Sequence, residues 1–168
     1  KDVKIFTEDI TYIKDKDIIF TEGRSKATDQ ITTIDGDEFR FNRFLNELNA
    51  KGNVVINDTQ KDYKIYAEDV TYLKNKEIIF TEGETEAIFQ SQYTFQSKDV
   101  LLLRNEMELS SSYKSSMIDD TDSTFYRFDK FKYLINKKII KGENIEIITN
   151  YLKAKSDKIY FTSGIFDL

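Results

Sequence analysis

The chain has 168 residues, of which 39% are hydrophobic and 33% are charged, and its 30 acidic and 25 basic side chains give a net charge of −5. This composition is typical of one soluble globular domain and excludes a disordered chain or a basic nucleic-acid-binding module. Cysteine and histidine are absent, which excludes disulfides, thiolate metal sites and the commonest general base. We therefore expect no catalytic residues, metal site or cofactor.

A 20-residue segment occurs twice with little change. KIFTEDITYIKDKDIIFTEG (4–23) and KIYAEDVTYLKNKEIIFTEG (64–83) are identical at 14 of 20 positions. Weaker copies start near Ile34, Phe95, Phe128 and Leu152, the last of them cut short. The unit is thus about 30 residues long, and a fixed period of this size predicts a repetitive architecture.

Within each unit, apolar residues recur at every second position. The segment 48–56 places Leu48, Ala50, Val54 and Ile56 on one face, with polar residues mostly on the other. This alternation is typical of a half-buried β-strand. Polar turns separate the strands at 14–17, 74–77 and 135–138, so each unit is predicted to be a strand, a tight turn and a strand.

Two features predict irregularities inside these strands. The alternation slips by one residue near Glu8–Asp9 and again at Ala67–Asp69, which predicts β-bulges. A glycine near the end of several units is consistent with a bend or with close packing.

The predicted fold is therefore all-β, with antiparallel strands forming one domain over residues 1–168. A sheet with one apolar face buries that face by folding over on itself, which gives a β-jellyroll or a taco-like sheet. Inner side chains that do not fully meet would leave an apolar groove. The residues predicted on this inner face are Ile10, Tyr12, Ile19, Phe39, Phe41, Leu48, Val54, Ile56, Val70, Tyr72, Ile79 and Phe89.

Three polar segments give weaker signals. The DDTD run at Asp119–Asp122 carries calcium-type ligands, but an acidic loop is the favoured interpretation. The DGDE run at Asp35–Glu38 lacks the spacing of a calcium loop and is predicted to be a turn. The serine-rich run at Ser110–Ser116 predicts a longer loop or an edge.

The pattern I-x-A-E-D-V-x-Y, followed by a polar turn and L-N-A-K-G-N-V-V-I, resembles the OstA-type repeat of the lipopolysaccharide transport proteins LptA, LptC and LptD. The triplet Gly52-Asn53-Val54 is the most family-like part. The later FDKFKYLINKKIIKGENIEIIT and the final SGIFDL are most similar to the amino-terminal periplasmic domain of LptD. The resemblance covers nearly the whole chain, although the LptD proteins that use disulfides differ from this cysteine-free segment.

The resemblance implies a β-jellyroll that binds lipopolysaccharide acyl chains along its inner face and passes them towards the outer membrane without catalysis. It implies a periplasmic domain of an outer-membrane protein, here a fragment without its signal peptide and membrane barrel. The implied partners are lipid A, a neighbouring jellyroll such as LptA and, for the full-length protein, an outer-membrane lipoprotein. The candidate docking edges are the first strand (3–12) and the last (158–166), which would bind by strand addition.

Other functions remain open at this point. A structural β-repeat or adhesin-like stalk would have small, fully packed inner residues, whereas this chain is 14% aromatic. A carbohydrate-binding jellyroll commonly presents exposed tryptophan, which is absent here. An enzyme is the remote alternative, since only carboxylates, Lys, Tyr and Ser remain for chemistry.

Overall fold

The computed structural model describes residues 3–29, 31–149 and 153–162, the last segment as backbone only. These residues form 17 β-strands, and no α-helix occurs among them. The strands are β1 (Lys4–Phe6), β2 (Asp9–Ile13), β3 (Ile18–Glu22), β4 (Ser25–Thr28), β5 (Thr32–Gly36), β6 (Glu38–Asn42), β7 (Glu47–Asp58), β8 (Tyr63–Leu73), β9 (Ile78–Phe89), β10 (Tyr93–Lys98), β11 (Leu101–Leu103), β12 (Glu108–Ser111), β13 (Ser115–Asp119), β14 (Thr124–Phe128), β15 (Lys130–Leu134), β16 (Ile139–Ile148) and β17 (Lys153–Thr162). Short 3-10 turns at Lys14–Lys16, Lys74–Lys76 and Ile135–Lys137 confirm the three predicted tight turns.

All strands belong to one antiparallel sheet that is folded into two facing walls. The long strands β7, β8, β9, β16 and β17 cross from one wall to the other, and the shorter strands belong to one wall each. Wall I contains β2, β3, β6, β11, β12 and β15 with the parts of the long strands at 47–51, 69–73, 78–82, 139–143 and 158–162. Wall II contains β1, β4, β5, β10, β13 and β14 with the parts at 54–58, 63–67, 84–89, 145–148 and 153–156. This antiparallel, jellyroll-like architecture confirms the predicted fold class.

The two walls meet at a crease where the strand register shifts. The shift in β8 lies between Ala67 and Asp69, which confirms the bulge predicted there. In β7 it lies between Lys51 and Val54, where Gly52 and Asn53 both have positive φ. Near Glu8 the strand breaks completely instead of bulging, so β1 and β2 lie in different walls.

The crease also explains why the FTEG segment occurs twice. In the first copy the Ser25 hydroxyl donates to Thr21 Oγ1 at 2.7 Å, and in the second the Thr81 and Thr85 hydroxyls lie 2.6 Å apart. All four residues are buried. Each hydroxyl pair joins the end of one wall to the start of the other, so buried polar groups at the fold satisfy each other.

The interior between the walls is filled by side chains over its central part. An aromatic cluster spans both walls, with Phe89 and Phe95 from wall II against Phe131 and Tyr133 from wall I. Ring centroids are 5.0 Å apart for Phe95 and Phe131 and 5.1 Å apart for Phe95 and Tyr133. Aromatic pairs at this separation contribute packing energy beyond their buried area. The groove predicted along the whole inner face is therefore closed here.

The predictions for the serine-rich run and for the Asp35–Glu38 run need correction. The predicted sixth copy of the repeat lies partly outside the described residues. The serine-rich run is mostly strand, since it ends β12 and starts β13. Asp35 and Glu38 lie in strands, and only the bend at Asp37 interrupts them, at the crease. The shortened sixth copy forms β17 over Lys153–Thr162, and its remaining residues, 152 and 163–166, lie outside the described part.

Among the described residues, no helix has the length and apolar character needed to span a membrane.

Candidate functional site

The register of the strands shows where each predicted inner-face residue lies. Ile10 is paired with Thr21 and Tyr12 with Ile19, and paired residues in an antiparallel sheet point to the same face. Eight of the predicted residues are buried between the walls: Phe39, Leu48, Val54, Ile56, Val70, Tyr72, Ile79 and Phe89. Ile19 and Phe41 are half-buried. Ile10 and Tyr12 remain 60% and 48% exposed.

The exposure of Ile10 and Tyr12 follows from the position of their strand. Among the described strands, β2 pairs only with β3, and β1 pairs only with β4. The inner face of wall I therefore continues past the packed core as an uncovered apolar surface. Ile5 and Val3 on wall II, which are half-buried against the core, flank the same end of the interior. We call this surface the N-terminal opening.

A local polar network fixes Tyr12 at this opening. Its hydroxyl donates to Asp17 Oδ1 at 2.8 Å and accepts from Arg43 at 3.3 Å. Arg43 also pairs with Asp17 at 3.2 Å and lies 5.8 Å from the centre of the Tyr12 ring. The hydrogen bond to Asp17 raises the pKa of Tyr12 above its usual range. The ring is therefore held as a neutral, apolar-faced wall residue.

Behind the opening, the space between the walls is narrow. A crevice lined by residues of both walls, including Ile34, Phe41 and Leu48, has a free volume of about 20 Å³, room for about one water molecule. Larger hollows of about 610 and 770 Å³ lie near polar residues of the outer faces, such as Arg40 and Arg127. Among the described residues, this crevice of the apolar interior is therefore too small for an acyl chain in this conformation.

A buried arginine joins the two walls on the side opposite the crease. Arg104 follows β11 in wall I, is 4% exposed, and pairs with Asp58 at the end of β7 in wall II at 2.8 Å. It also pairs with Glu77 at 2.7 Å and donates to Thr32 Oγ1 at 2.7 Å. Its guanidinium lies over the Tyr72 ring and donates to the Tyr72 hydroxyl.

This network shifts the pKa values of its members. Burial pushes the pKa of Asp58 upwards, but hydrogen bonds from the Lys61 backbone and from Arg104 outweigh it, and the net shift is downwards. Burial raises the pKa of Tyr72 well above its usual range, and the nearby Glu77 raises it further while Arg104 opposes the shift. Asp58 therefore stays ionised and Tyr72 neutral at pH 7, which keeps the ion pair intact.

Sequence reasoning did not find Arg104. It occupies the first position of its turn, which in other units is Lys14, Arg43 and Lys74, so it looks like one more solvated base. The one available signal was Ile135 at the same position of the fifth unit, because an apolar residue there shows that the position can point inwards. Ile135 is 1% exposed.

The opposite end of the sheet also has an edge strand. Among the described strands, β17 pairs only with β16, through contacts along nearly its whole length. The predicted docking strand 158–166 corresponds to the second half of β17 as far as residue 162, and residues 163–166 lie outside the described part. The described architecture thus has strands with one unpaired edge at each end, and such edges favour strand addition.

The comparisons with known proteins define the fold class as an LptA-like β-jellyroll. No family model and no curated protein sequence matches the chain. A solved structure that is similar is LptH from Pseudomonas aeruginosa, described as the LptA homologous periplasmic component of the conserved lipopolysaccharide transport device. The TM-score is 0.54 at 9% sequence identity, with 89% of this chain and 96% of that chain covered. At this identity, the likeness shows a shared fold.

Proposed function

We propose that this chain is a non-enzymatic lipid-conducting module of a lipopolysaccharide transport system. In this proposal, its single domain binds acyl chains between the two walls and passes them from a periplasmic bridge towards the outer membrane. The OstA-type resemblance of the sequence and the fold shared with LptH support this role. The described residues enclose an apolar interior, which is suited to binding lipid tails.

The observation that carries the proposal is the N-terminal opening. A soluble β-jellyroll that only had to be stable would cover its apolar inner face, because exposed apolar surface at a sheet edge promotes aggregation. Here Ile10 and Tyr12 face the interior side of wall I and remain uncovered. A surface of this kind suits an acyl chain arriving from a neighbouring module that continues the same two walls.

The energetics of acyl-chain binding agree with this role. Burial of apolar surface contributes about 0.8 kcal/mol per methylene, so a chain of a dozen carbons gains on the order of 10 kcal/mol before the costs of ordering and of separating the walls. An interior open at its end allows exchange with the next module, whereas a sealed cavity would not release its ligand.

The proposed partners are the lipid A part of lipopolysaccharide and a neighbouring jellyroll such as LptA, bound by strand addition at β1 and β2 or at β17. We assign the chain to the amino-terminal, LptD-type class of this architecture on its sequence resemblance. The localisation is then the periplasmic domain of an outer-membrane protein, and an outer-membrane lipoprotein is the further partner of the full-length protein.

The first test is native mass spectrometry of the chain with lipid A, comparing Ile10→Asp with Phe6→Asp. Both positions are exposed to a similar degree, at 60% and 57%, so neither substitution removes core packing. Ile10 faces the interior, whereas Phe6 pairs with Lys26 on the outer face of β1. We expect a lipid adduct on the parent chain and on Phe6→Asp, and a reduced adduct on Ile10→Asp, because a carboxylate at the opening opposes apolar tails.

Two outcomes of this experiment would contradict the proposal. A parent chain that shows no adduct at any lipid A concentration, although its circular dichroism is that of a folded β-protein, would exclude lipid conduction. Equal loss of the adduct in both variants would place the lipid outside the interior.

One observation favours a second function, that of a structural β-repeat with a packed interior. The aromatic cluster around Phe95 packs the two walls together at the centre, and a packed interior is expected for a stalk. The absence of any lipid adduct in the experiment above would select this alternative.

A further inference from the structure

The inference concerns how the interior opens, and it rests on the proposed lipid-conducting function. The free space between the walls near the N-terminal opening is about 20 Å³, room for about one water molecule and too little for an acyl chain. An acyl chain can enter only if the walls move apart. They are continuous at the crease, so separation has to occur on the opposite side, where the hairpin turns of each wall form two facing rows that we call the lips.

Arg104 forms a buried, direct link between the lips. It leaves the wall I turn 104–107 and reaches Asp58, which starts the wall II turn 58–62, at 2.8 Å. The link is doubled by Lys61, whose ammonium donates to the Arg104 carbonyl. Side-chain exposure is 5% for Arg104 and 0% for Asp58. Removing one partner of such a buried pair is strongly destabilising, because the other charge stays buried and unpaired.

The lips carry opposite charge along their length. The wall I turns contain eight basic and four acidic residues, and the described wall II turns contain six acidic residues and one basic residue. The bases are Lys14, Lys16, Arg43, Lys74, Lys76, Arg104, Lys137 and Lys138, and the acids of wall II are Asp29, Asp58, Asp62, Asp119, Asp120 and Asp122. Opposite charges attract across the gap, so the lips favour the closed state around the central ion pair.

We propose that Arg104 and Asp58 form a clasp that holds the walls closed and controls the entry of apolar chains into the interior. An ion pair suits this task because its partners can separate and be rehydrated when the lips part, so that opening is reversible. The aromatic cluster, which also spans both walls, has no such alternative solvation, so the lips part beside the clasp while the centre stays packed. The clasp contacts Tyr72 and Thr32, which both line the crevice behind the N-terminal opening.

The test measures the distance between the lips directly and needs no lipid. The chain has no cysteine, so Asn75→Cys and Gln60→Cys introduce two unique labelling sites in exposed turns of wall I and wall II. Spin labels at these sites report the lip separation by pulsed electron paramagnetic resonance. We expect one short, narrow distance distribution in the otherwise unchanged chain.

Two variants release the clasp in different ways. Arg104→Glu places a third carboxylate beside Asp58 and Glu77. The pair Arg104→Ser with Asp58→Asn removes both fully buried charges and leaves only Glu77, whose side chain is 30% exposed to solvent. Both are expected to shift the distribution to longer and broader distances. The matched control is Arg127→Glu, which reverses an arginine paired with Glu146 at 3.0 Å on the outer face of wall II, and its lip distance should not change.

The same samples give a kinetic readout with the apolar probe N-phenyl-1-naphthylamine. If the open state of the parent chain has a population of about 0.1–10%, releasing the clasp raises the association rate by about 10- to 1,000-fold. An unchanged lip distance in the folded Arg104→Ser, Asp58→Asn chain would overturn the clasp. The double variant keeps this outcome available even if Arg104→Glu does not fold.

The lip distances and the binding of lipid A together distinguish a failure of the clasp from a failure of the proposed function. If the lips part in the variants but lipid A binds neither the parent chain nor the variants, the clasp stands and the lipid-conducting function is wrong. If lipid A binds the parent chain while the lips never move, the function stands and entry does not proceed between the lips.

Discussion

Asp58 shows how one buried carboxylate can link stability to pH. Its side chain is fully buried, yet its pKa lies below the ordinary value of 3.8 because hydrogen bonds and Arg104 outweigh the cost of burial. Arg104 is its charged partner, and the backbone N–H groups of Gln60 and Lys61 donate to its carboxylate. A carboxyl whose pKa is lower in the folded state stabilises the fold above its unfolded pKa and loses that contribution as the pH falls.

We therefore predict that Asp58→Asn lowers the free energy of unfolding at pH 7 by about 3 kcal/mol, since it leaves the buried Arg104 with one fewer anionic partner. The difference from the parent chain should shrink as the pH falls from about 4 through the lowered pKa of Asp58, where the parent carboxylate becomes protonated. Urea denaturation at a series of pH values measures this.

The control for Asp58→Asn is Asp37→Asn. The pKa of Asp37 is also lowered, by hydrogen bonds from Asn53 and Arg24, but its side chain is 44% exposed. Because solvent screens exposed pairs, the control should cost much less stability than Asp58→Asn. Equal effects of the two substitutions would show that the burial of the Arg104 pair contributes nothing.

At the scale of single residues, the sequence predicted which face of the sheet a side chain occupies, but it did not predict how deeply that side chain is buried. Alternation correctly placed Leu48, Val54 and Ile56 on the inner face, because the period of a strand is fixed by its backbone. It could not show that Tyr12, in the same row of side chains, would lie at an uncovered edge. It also could not separate the buried Arg104 from the exposed Arg43, since both start equivalent turns and only tertiary contacts distinguish them.

At the scale of single elements, the crease was foreseen in part. The slipped alternation at 67–69 predicted the bulge in β8, and the family-like triplet Gly52-Asn53-Val54 lies at the crease in β7. What the sequence did not reveal was that these irregularities align across neighbouring strands. Aligned irregularities turn local bulges into one fold line, and alignment depends on the register between strands.

Gly52 gives a prediction for this fold line. Its φ is +74°, and a Cβ at this position would lie 2.6 Å from Asp37 Oδ2 and 2.9 Å from Asp37 Cβ. Gly52→Ala therefore combines about 1–2 kcal/mol of left-handed backbone strain with displacement of the Asp37 side chain. We expect a loss of about 2–4 kcal/mol in the free energy of unfolding, measured by urea denaturation.

Gly83→Ala separates the two contributions. Gly83 has a φ of +86° at the crease of β9, and a Cβ there would meet no atom within 4 Å. This variant should therefore show the backbone strain alone. A Gly52→Ala loss no larger than that of Gly83→Ala would mean that Asp37 moves aside without cost.

At the scale of the whole molecule, the all-β antiparallel fold was predictable, but the closed interior was not. Periodicity shows which face of a strand is apolar, and a sheet with one apolar face must fold over. Whether the two inner faces meet depends on the sizes of side chains that are distant in sequence. Phe95 and Phe131, 36 positions apart in the chain, stack across the walls, and no local pattern predicts that contact.

Removing one ring of the aromatic cluster tests whether individual side chains keep the centre of the interior closed. Phe95 is 1% exposed and touches rings from both walls. We predict that Phe95→Ala lowers the free energy of unfolding by about 3–5 kcal/mol and leaves an apolar cavity that binds benzene, detectable by ligand-dependent thermal stabilisation.

The matched control for Phe95→Ala is Phe125→Ala on the outer face of wall II, where the ring is half-buried beneath Arg127. This control should cost less than half as much as Phe95→Ala and gain no benzene binding, because its removal opens the surface to water and creates no cavity. A Phe95→Ala chain that loses stability without binding benzene would mean that the walls collapse into the space. The closed centre would then be a property of the whole folded sheet, with no single ring responsible for it.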